Sequence, residues 1–223
     1  MNKKILVLLI ILTVIAGGFF YWLRTWQPEK PDFSIGNPEE APTLFSKGDY
    51  KIEEREDGKY IVVEKVGLTA MIPEEWKVER EGNDIPKPEY WVRLFSKDYE
   101  PSPRTVTLPG KGCRIDISAW TSKESNQKRK EIIQDLKNND KSSIDEIYEE
   151  EGYEYNSVKI SGYEGIEQMS SEKHKLSEFV QLISIDIPIN DKEIITLYID
   201  FPPDDRGKCT KIWEEFLKNI VIE

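Results

Sequence analysis

Residues 5–23 (ILVLLIILTVIAGGFFYWL) carry no charge, and sixteen of the nineteen are apolar. As a helix rising about 1.5 Å per residue, such a run spans about 28 Å, close to the thickness of a bilayer's hydrocarbon core. Two fates suit a segment like this: retention in the membrane as a signal anchor, or removal as a signal peptide. Ala16, Gly17 and Gly18 are small enough for a processing site. The apolar run continues past them through Phe19-Phe20-Tyr21-Trp22-Leu23, which places an aromatic belt at the outer interface and favours the anchor. Lys3 and Lys4 precede the run, so the positive-inside tendency puts the N-terminus in the cytoplasm, although Arg24 and Lys30 weaken the asymmetry. The expectation is a single-pass protein of the cell membrane: residues 1–24 are the signal anchor, residues 5–23 contact the lipid bilayer, and the C-terminal part is extracytoplasmic.

Setting the anchor aside changes the composition. The whole chain of 223 residues has 31 basic and 42 acidic side chains, a formal charge of −11. Residues 1–24 hold three basic side chains and no acidic one, which leaves 28 against 42, or −14, on the exported part. That sign excludes a nucleic-acid binder, whose affinity comes from Lys and Arg displacing counterions from phosphates. One His and two Cys leave no ligand set for zinc or haem, and no cofactor or metal is expected.

Pro28, Pro31, Pro38 and Pro42 stand among polar residues, so residues 25–48 read as a linker, able to reach about 70 Å if fully extended. The remainder, residues 49–223, alternates strand and helix signals. Asp57-Gly58 between β-rich runs predicts a hairpin. Short strands follow around residues 68–72, 76–79 and 90–96, and residues 98–112 read as a surface loop. Cys113, Ile115, Ile117 and Ala119 alternate with Arg114, Asp116, Ser118 and Trp120, the pattern of a half-buried strand. Thr121-Ser-Lys-Glu124 has capping-box spacing ahead of a helix reaching Asn138, and Ser143-Ile-Asp-Glu146 repeats it for a shorter helix. Strands around residues 155–161 and 166–169 flank a bend at Gly162-Tyr-Glu-Gly165. Phe179, Gln181, Ile183, Ile185, Ile187 and Ile189 share one face of a long strand, and Asn190-Asp191 turns it into Ile195, Leu197, Ile199 and Phe201. Cys209, Ile212, Trp213, Phe216, Leu217 and Ile220 then follow helical spacing. This order, with mostly hairpin connections, predicts an α+β fold, a central antiparallel sheet flanked by helices.

The run Val66-Gly-Leu-Thr-Ala-Met-Ile-Pro73-Glu-Glu-Trp76-Lys-Val78 resembles the opening of PsbP-like domains: an apolar strand, then Pro-x-x-Trp, then Val. Val158-Lys-Ile-Ser-Gly162-Tyr-Glu-Gly165, the long hairpin and a last helix bearing Trp213 and Phe216 follow in the same order. The resemblance covers about residues 50–223. It implies the Mog1/PsbP-like α/β/α sandwich and membership of a group made mostly of non-enzymatic accessory and binding proteins. Photosynthetic members assist photosystem II, but no contact or metal site of theirs transfers residue by residue, so a photosynthetic role is not implied.

The chemical candidates are few. Cys113 and Cys209 fall at the start of a core strand and in the first turn of the closing helix. Outside the cytoplasm they read as a disulfide, with two separate buried thiols as the alternative. Trp76 and Trp213 have core phases, whereas Trp91 and Trp120 are the pair to consider as a binding surface. His174 lies in a polar connection with no second His for a ligand pair, and Ser170-Ser-Glu-Lys173 matches Ser-x-x-Lys without companion elements. Asp145, Glu146, Glu149, Glu150 and Glu151 lack calcium-loop spacing and read as a solvated face. Pro109-Gly-Lys-Gly112 lacks the full phosphate-loop pattern and reads as a loop tip. No catalytic residue is assigned. The functional expectation is an accessory or binding module with an envelope protein as its partner. The alternative is an envelope hydrolase or transferase using paired carboxylates, one of them with a raised pKa.

Overall fold

The structure, a computed structural model, describes residues 43–83, 89–103, 108–140, 152–171, 174 and 177–223, with only the backbone of residues 44, 47, 80–83 and 89–91. The expected anchor, most of the expected linker, the acidic segment at residues 145–151 and its expected short helix lie outside these. Among the described residues no helix is long and apolar enough to cross a membrane.

The strands are β1 (Thr43–Leu44), β2 (Lys51–Arg55), β3 (Gly58–Val63), β4 (Leu68–Met71), β5 (Lys77–Asn83), β6 (Glu89–Phe95), β7 (Glu100–Pro101), β8 (Pro109–Lys111) and β9 (Arg114–Thr121). Helix α1 (Lys123–Lys137) follows, then β10 (Tyr153–Ile160), β11 (Tyr163–Ser170), β12 (Gln181–Pro188), β13 (Glu193–Phe201), α2 (Arg206–Lys218) and β14 (Ile220–Ile222). An eight-stranded sheet runs β10-β11-β12-β13-β9-β6-β5, with β1 added on β9, and a four-stranded sheet runs β14-β4-β3-β2. Their pairings are antiparallel. Among the described residues, mostly antiparallel sheets with two helices make the α+β class.

The alternation read from the sequence explains the layering. Val92 and Leu94 of β6, Ile115, Ile117 and Ala119 of β9, Ile185 and Ile187 of β12, and Ile195, Leu197, Ile199 and Phe201 of β13 face one side of the large sheet. They pack into one apolar cluster with Ile61, Val63, Leu68 and Ala70 of the small sheet and Cys209, Trp213 and Phe216 of α2. Helix α1 lies on the opposite face, where the Arg129 guanidinium meets Asp186 at 2.6 Å and the Asn126 amide donates to the Glu193 carbonyl at 2.9 Å.

Several details differ from the sequence reading, each for a local reason. The first hairpin turns at Glu56-Asp57, since Arg55 pairs with Gly58. Gly58 is instead the first strand residue, with φ 151°, where a Cβ would come within 2.8 Å of the Met71 methyl. The turn with two positive φ values is Ser161-Gly162 (49° and 90°), between Ile160 and Tyr163. The N-cap of α1 is Ser122, whose hydroxyl accepts from the Ser125 N–H at 3.2 Å, while Thr121 is the last residue of β9. Phe179 precedes β12 and is exposed. Pro109–Lys111 is a strand rather than a loop tip, pairing with β7 inside the expected surface loop. Ile220 has left the helix and starts β14, which pairs with β4. At the other end, β1 pairs with β9 and Phe45 is buried, so the sheet takes in the last residues of the stretch expected to be linker.

Candidate functional site

The start of β10, the end of β11, the start of β12, the end of β13 and the first turns of α2 enclose a cavity of about 610 Å³. Glu154, Met169 and Ile183 stand in one row across β10, β11 and β12, and Phe201 closes the floor from β13. The apolar floor follows from the same alternation that fills the core. The Ser170 hydroxyl, also in the lining, accepts from the Leu182 N–H at 3.0 Å and donates to the Leu182 carbonyl at 3.4 Å, so its polar demand is met within the sheet. Arg206 and Thr210 of α2 complete the far wall. Arg206 and Glu154 are both exposed.

A second arrangement lies on the α1 face of the large sheet. Arg93 and Asp116 are direct cross-strand partners, as are Asp116 and Tyr198, and one row further on Arg114 partners Asp200. The Arg93 Nε donates to Asp116 at 2.8 Å, and Arg114 pairs with Asp200 while standing 3.8 Å from Asp116. Asp200 is 0% exposed. Its Oδ1 has no hydrogen-bond partner. Burial pushes its carboxyl pKa up to about 7, against the attraction of Arg114 and with the repulsion of Asp116. Burial likewise raises the Tyr198 phenol. This is the raised carboxyl beside a second carboxyl that the hydrolase alternative requires. Its geometry is that of a sealed ion pair, because a general acid has to reach a substrate proton and this one is fully buried.

The residues singled out from sequence are scattered. Cys113 and Cys209 are joined as a disulfide, Cα atoms 5.8 Å apart and both side chains fully buried. Two further ties bracket it. Lys208 donates to Asp98 at 2.6 Å, which holds that carboxyl below its ordinary pKa, and the Gly112 N–H donates to Asp205 at 2.7 Å. Trp120 is half-buried: its indole N–H donates to the Thr196 hydroxyl at 3.0 Å and Arg129 stacks 4.8 Å from its ring. It is thus engaged in the contact between α1 and the sheet. The backbone of Trp91 pairs with Glu81 in the β5–β6 ladder, and its side chain lies outside the described residues. His174 packs its ring 4.6 Å from Tyr153. Lys173 lies outside the described residues. Among the described residues no group of three or more His, Cys, Asp or Glu is placed to hold a metal ion. The cavity and the ion-pair rows were not singled out from sequence: the cavity is assembled from the ends of four strands and a helix, and no contiguous motif marks it.

No protein-family model matches the chain, and no curated protein matches it in sequence. Among solved structures, LpqN, described as involved in cell envelope biogenesis of Mycobacterium tuberculosis, is similar with a TM-score of 0.45 at 13% identity, over 82% of this chain and 90% of that one.

Proposed function

We propose that the chain is a single-pass, membrane-anchored extracytoplasmic binding module, carrying a PsbP-like α+β domain on a Pro-rich stalk. The observation that carries this reading is the buried disulfide between Cys113 and Cys209, because structural disulfides belong to oxidising compartments. The uncharged run at residues 5–23 behind Lys3 and Lys4 supplies the route there and the anchor. The cavity supports binding: its size is in the range of small-molecule sites, and it joins an apolar floor to a few polar groups. Catalysis by paired carboxylates is the weaker reading, since Asp200 is enclosed and held by Arg114.

Topology tests the proposal. An alkaline phosphatase fused to the C-terminus of the full chain is expected to be active in intact cells, and mass spectrometry of the membrane-bound protein is expected to find residues 1–24 retained. An inactive fusion would reverse the orientation, and a chain beginning after Ala16–Gly18 would replace the anchor with a cleaved signal.

A further inference from the structure

We propose that the cavity at the ends of β10–β13 takes a zwitterion whose two charges flank an apolar body, the chemistry of a short apolar peptide. The inference deepens the binding-module reading and rests on it.

Charge placement carries the assignment. Among the described residues, the cavity lining holds one acidic and one basic side chain, Glu154 and Arg206. Glu154 belongs to the edge strand β10, and Arg206 opens α2, which follows β13. Both are exposed and neither forms an ion pair with another described residue. Between them lie Met169, Ile183 and Phe201, with Gln181 beside Phe201, while Ser170 is spent on the Leu182 backbone. The middle of the site therefore asks for apolar surface, and its two ends ask for opposite charges. An anion with an apolar tail satisfies Arg206 but faces Glu154, and a cation has the converse defect. A zwitterion meets both rim charges with charge-assisted hydrogen bonds. The volume of about 610 Å³ accommodates a ligand of this class.

The test uses the full chain in nanodiscs and isothermal titration with leucine, leucyl-leucine, N-acetyl-leucyl-leucine and leucyl-leucine amide. Saturable binding is expected for leucyl-leucine, and leucine, whose two charges share one carbon, is expected to bind more weakly; tighter binding of leucine would overturn the proposal. Each blocked dipeptide is expected to bind at least about tenfold more weakly than leucyl-leucine, the loss of one end contact. In R206Q the penalty for amidation should vanish while that for acetylation stays, and in E154Q the reverse should hold. These residues are exposed, so the variants are expected to keep the wild-type Tm. Thr210→Trp, which pushes an indole ring into the cavity, should weaken binding of every probe. Absence of saturation up to about 10 mM, or blocked dipeptides binding as tightly as the zwitterion, would overturn the proposal. Either result leaves the anchored-module reading standing if the C-terminal phosphatase remains active and residues 1–24 are retained.

Discussion

At the scale of single residues, the most consequential group is Asp200. Its ordinary carboxyl value of 3.8 rises in the folded chain to about 7, chiefly through burial. The folded state then holds a proton that the unfolded state has lost over that interval. Stability from this group is gained as pH falls from about 8 towards 4, and is flat below that. Asp49 and Asp98, held low by Lys65 and Lys208, act with the opposite sign and lose their contribution as pH drops below about 4. Tm is therefore expected to rise between pH 8 and pH 5 and to fall in stronger acid. Arg114→Met separates the terms. Removing the partner leaves a buried, uncompensated carboxylate, costing about 3–5 kcal/mol at pH 8. The cost should be smaller at pH 5, where Asp200 can take up its proton. Denaturant titrations at the two pH values measure the difference, and equal losses at both would refute the assignment. These rows were invisible in the sequence, because Arg114, Asp116, Tyr198 and Asp200 alternate with apolar residues as a solvent-facing set would. Only the strand register makes them partners.

At the scale of elements, much was legible where the period was long. The hairpin of β12 and β13 follows its alternation, and Asn190 turns it by accepting from the Lys192 and Glu193 N–H groups, each at 3.0 Å. Ambiguity entered where two signals overlapped. Thr121 and Ser122 both offer a capping hydroxyl, and the choice is made by β9, which extends through Thr121 to pair with Glu193 of β13. Ser122→Ala is expected to cost about 1 kcal/mol, whereas Thr121→Ala should leave helix α1 capped; chemical denaturation of both distinguishes the two positions. Ile220 posed the same difficulty, since it continues the spacing of Trp213 and Phe216 and yet sits in a strand. A helix of that length ends at Asn219, whose side chain donates to the Glu215 carbonyl at 3.0 Å, and the chain then runs along β4. Deleting residues 220–223 removes two buried isoleucines, an expected loss of about 3–6 kcal/mol. It also removes the contacts of the Ile222 N–H with the Ser161 hydroxyl and of Glu223 with Gly67. A truncated chain with unchanged stability would mean that β14 is dispensable to the small sheet.

At the scale of the whole molecule, sequence and structure inform different parts. The expected anchor and linker rest on composition alone, while the layers of the described residues rest on register and packing. The disulfide connects the two. Its cysteines are 96 residues apart in sequence, and closing a loop of that length contributes on the order of 4 kcal/mol in the chain-entropy model. It staples α2 to the start of β9 and so ties the covering layer to the middle of the large sheet. The ion pair of Lys208 with Asp98 and the hydrogen bond of Gly112 with Asp205 hold the same junction. The fold is thus expected to survive reduction in weakened form rather than to collapse. A chain beginning at residue 25 and made in a reducing cytoplasm should accordingly be folded, carry two unreactive buried thiols, and melt well below the exported protein. Oxidation should remove the difference, and with Cys113→Ala and Cys209→Ala in both preparations none should be seen. Thiol labelling of the denatured exported protein gives the direct check: no label before reduction and two after. Equal labelling before and after would remove the disulfide, and with it the strongest support for an extracytoplasmic location.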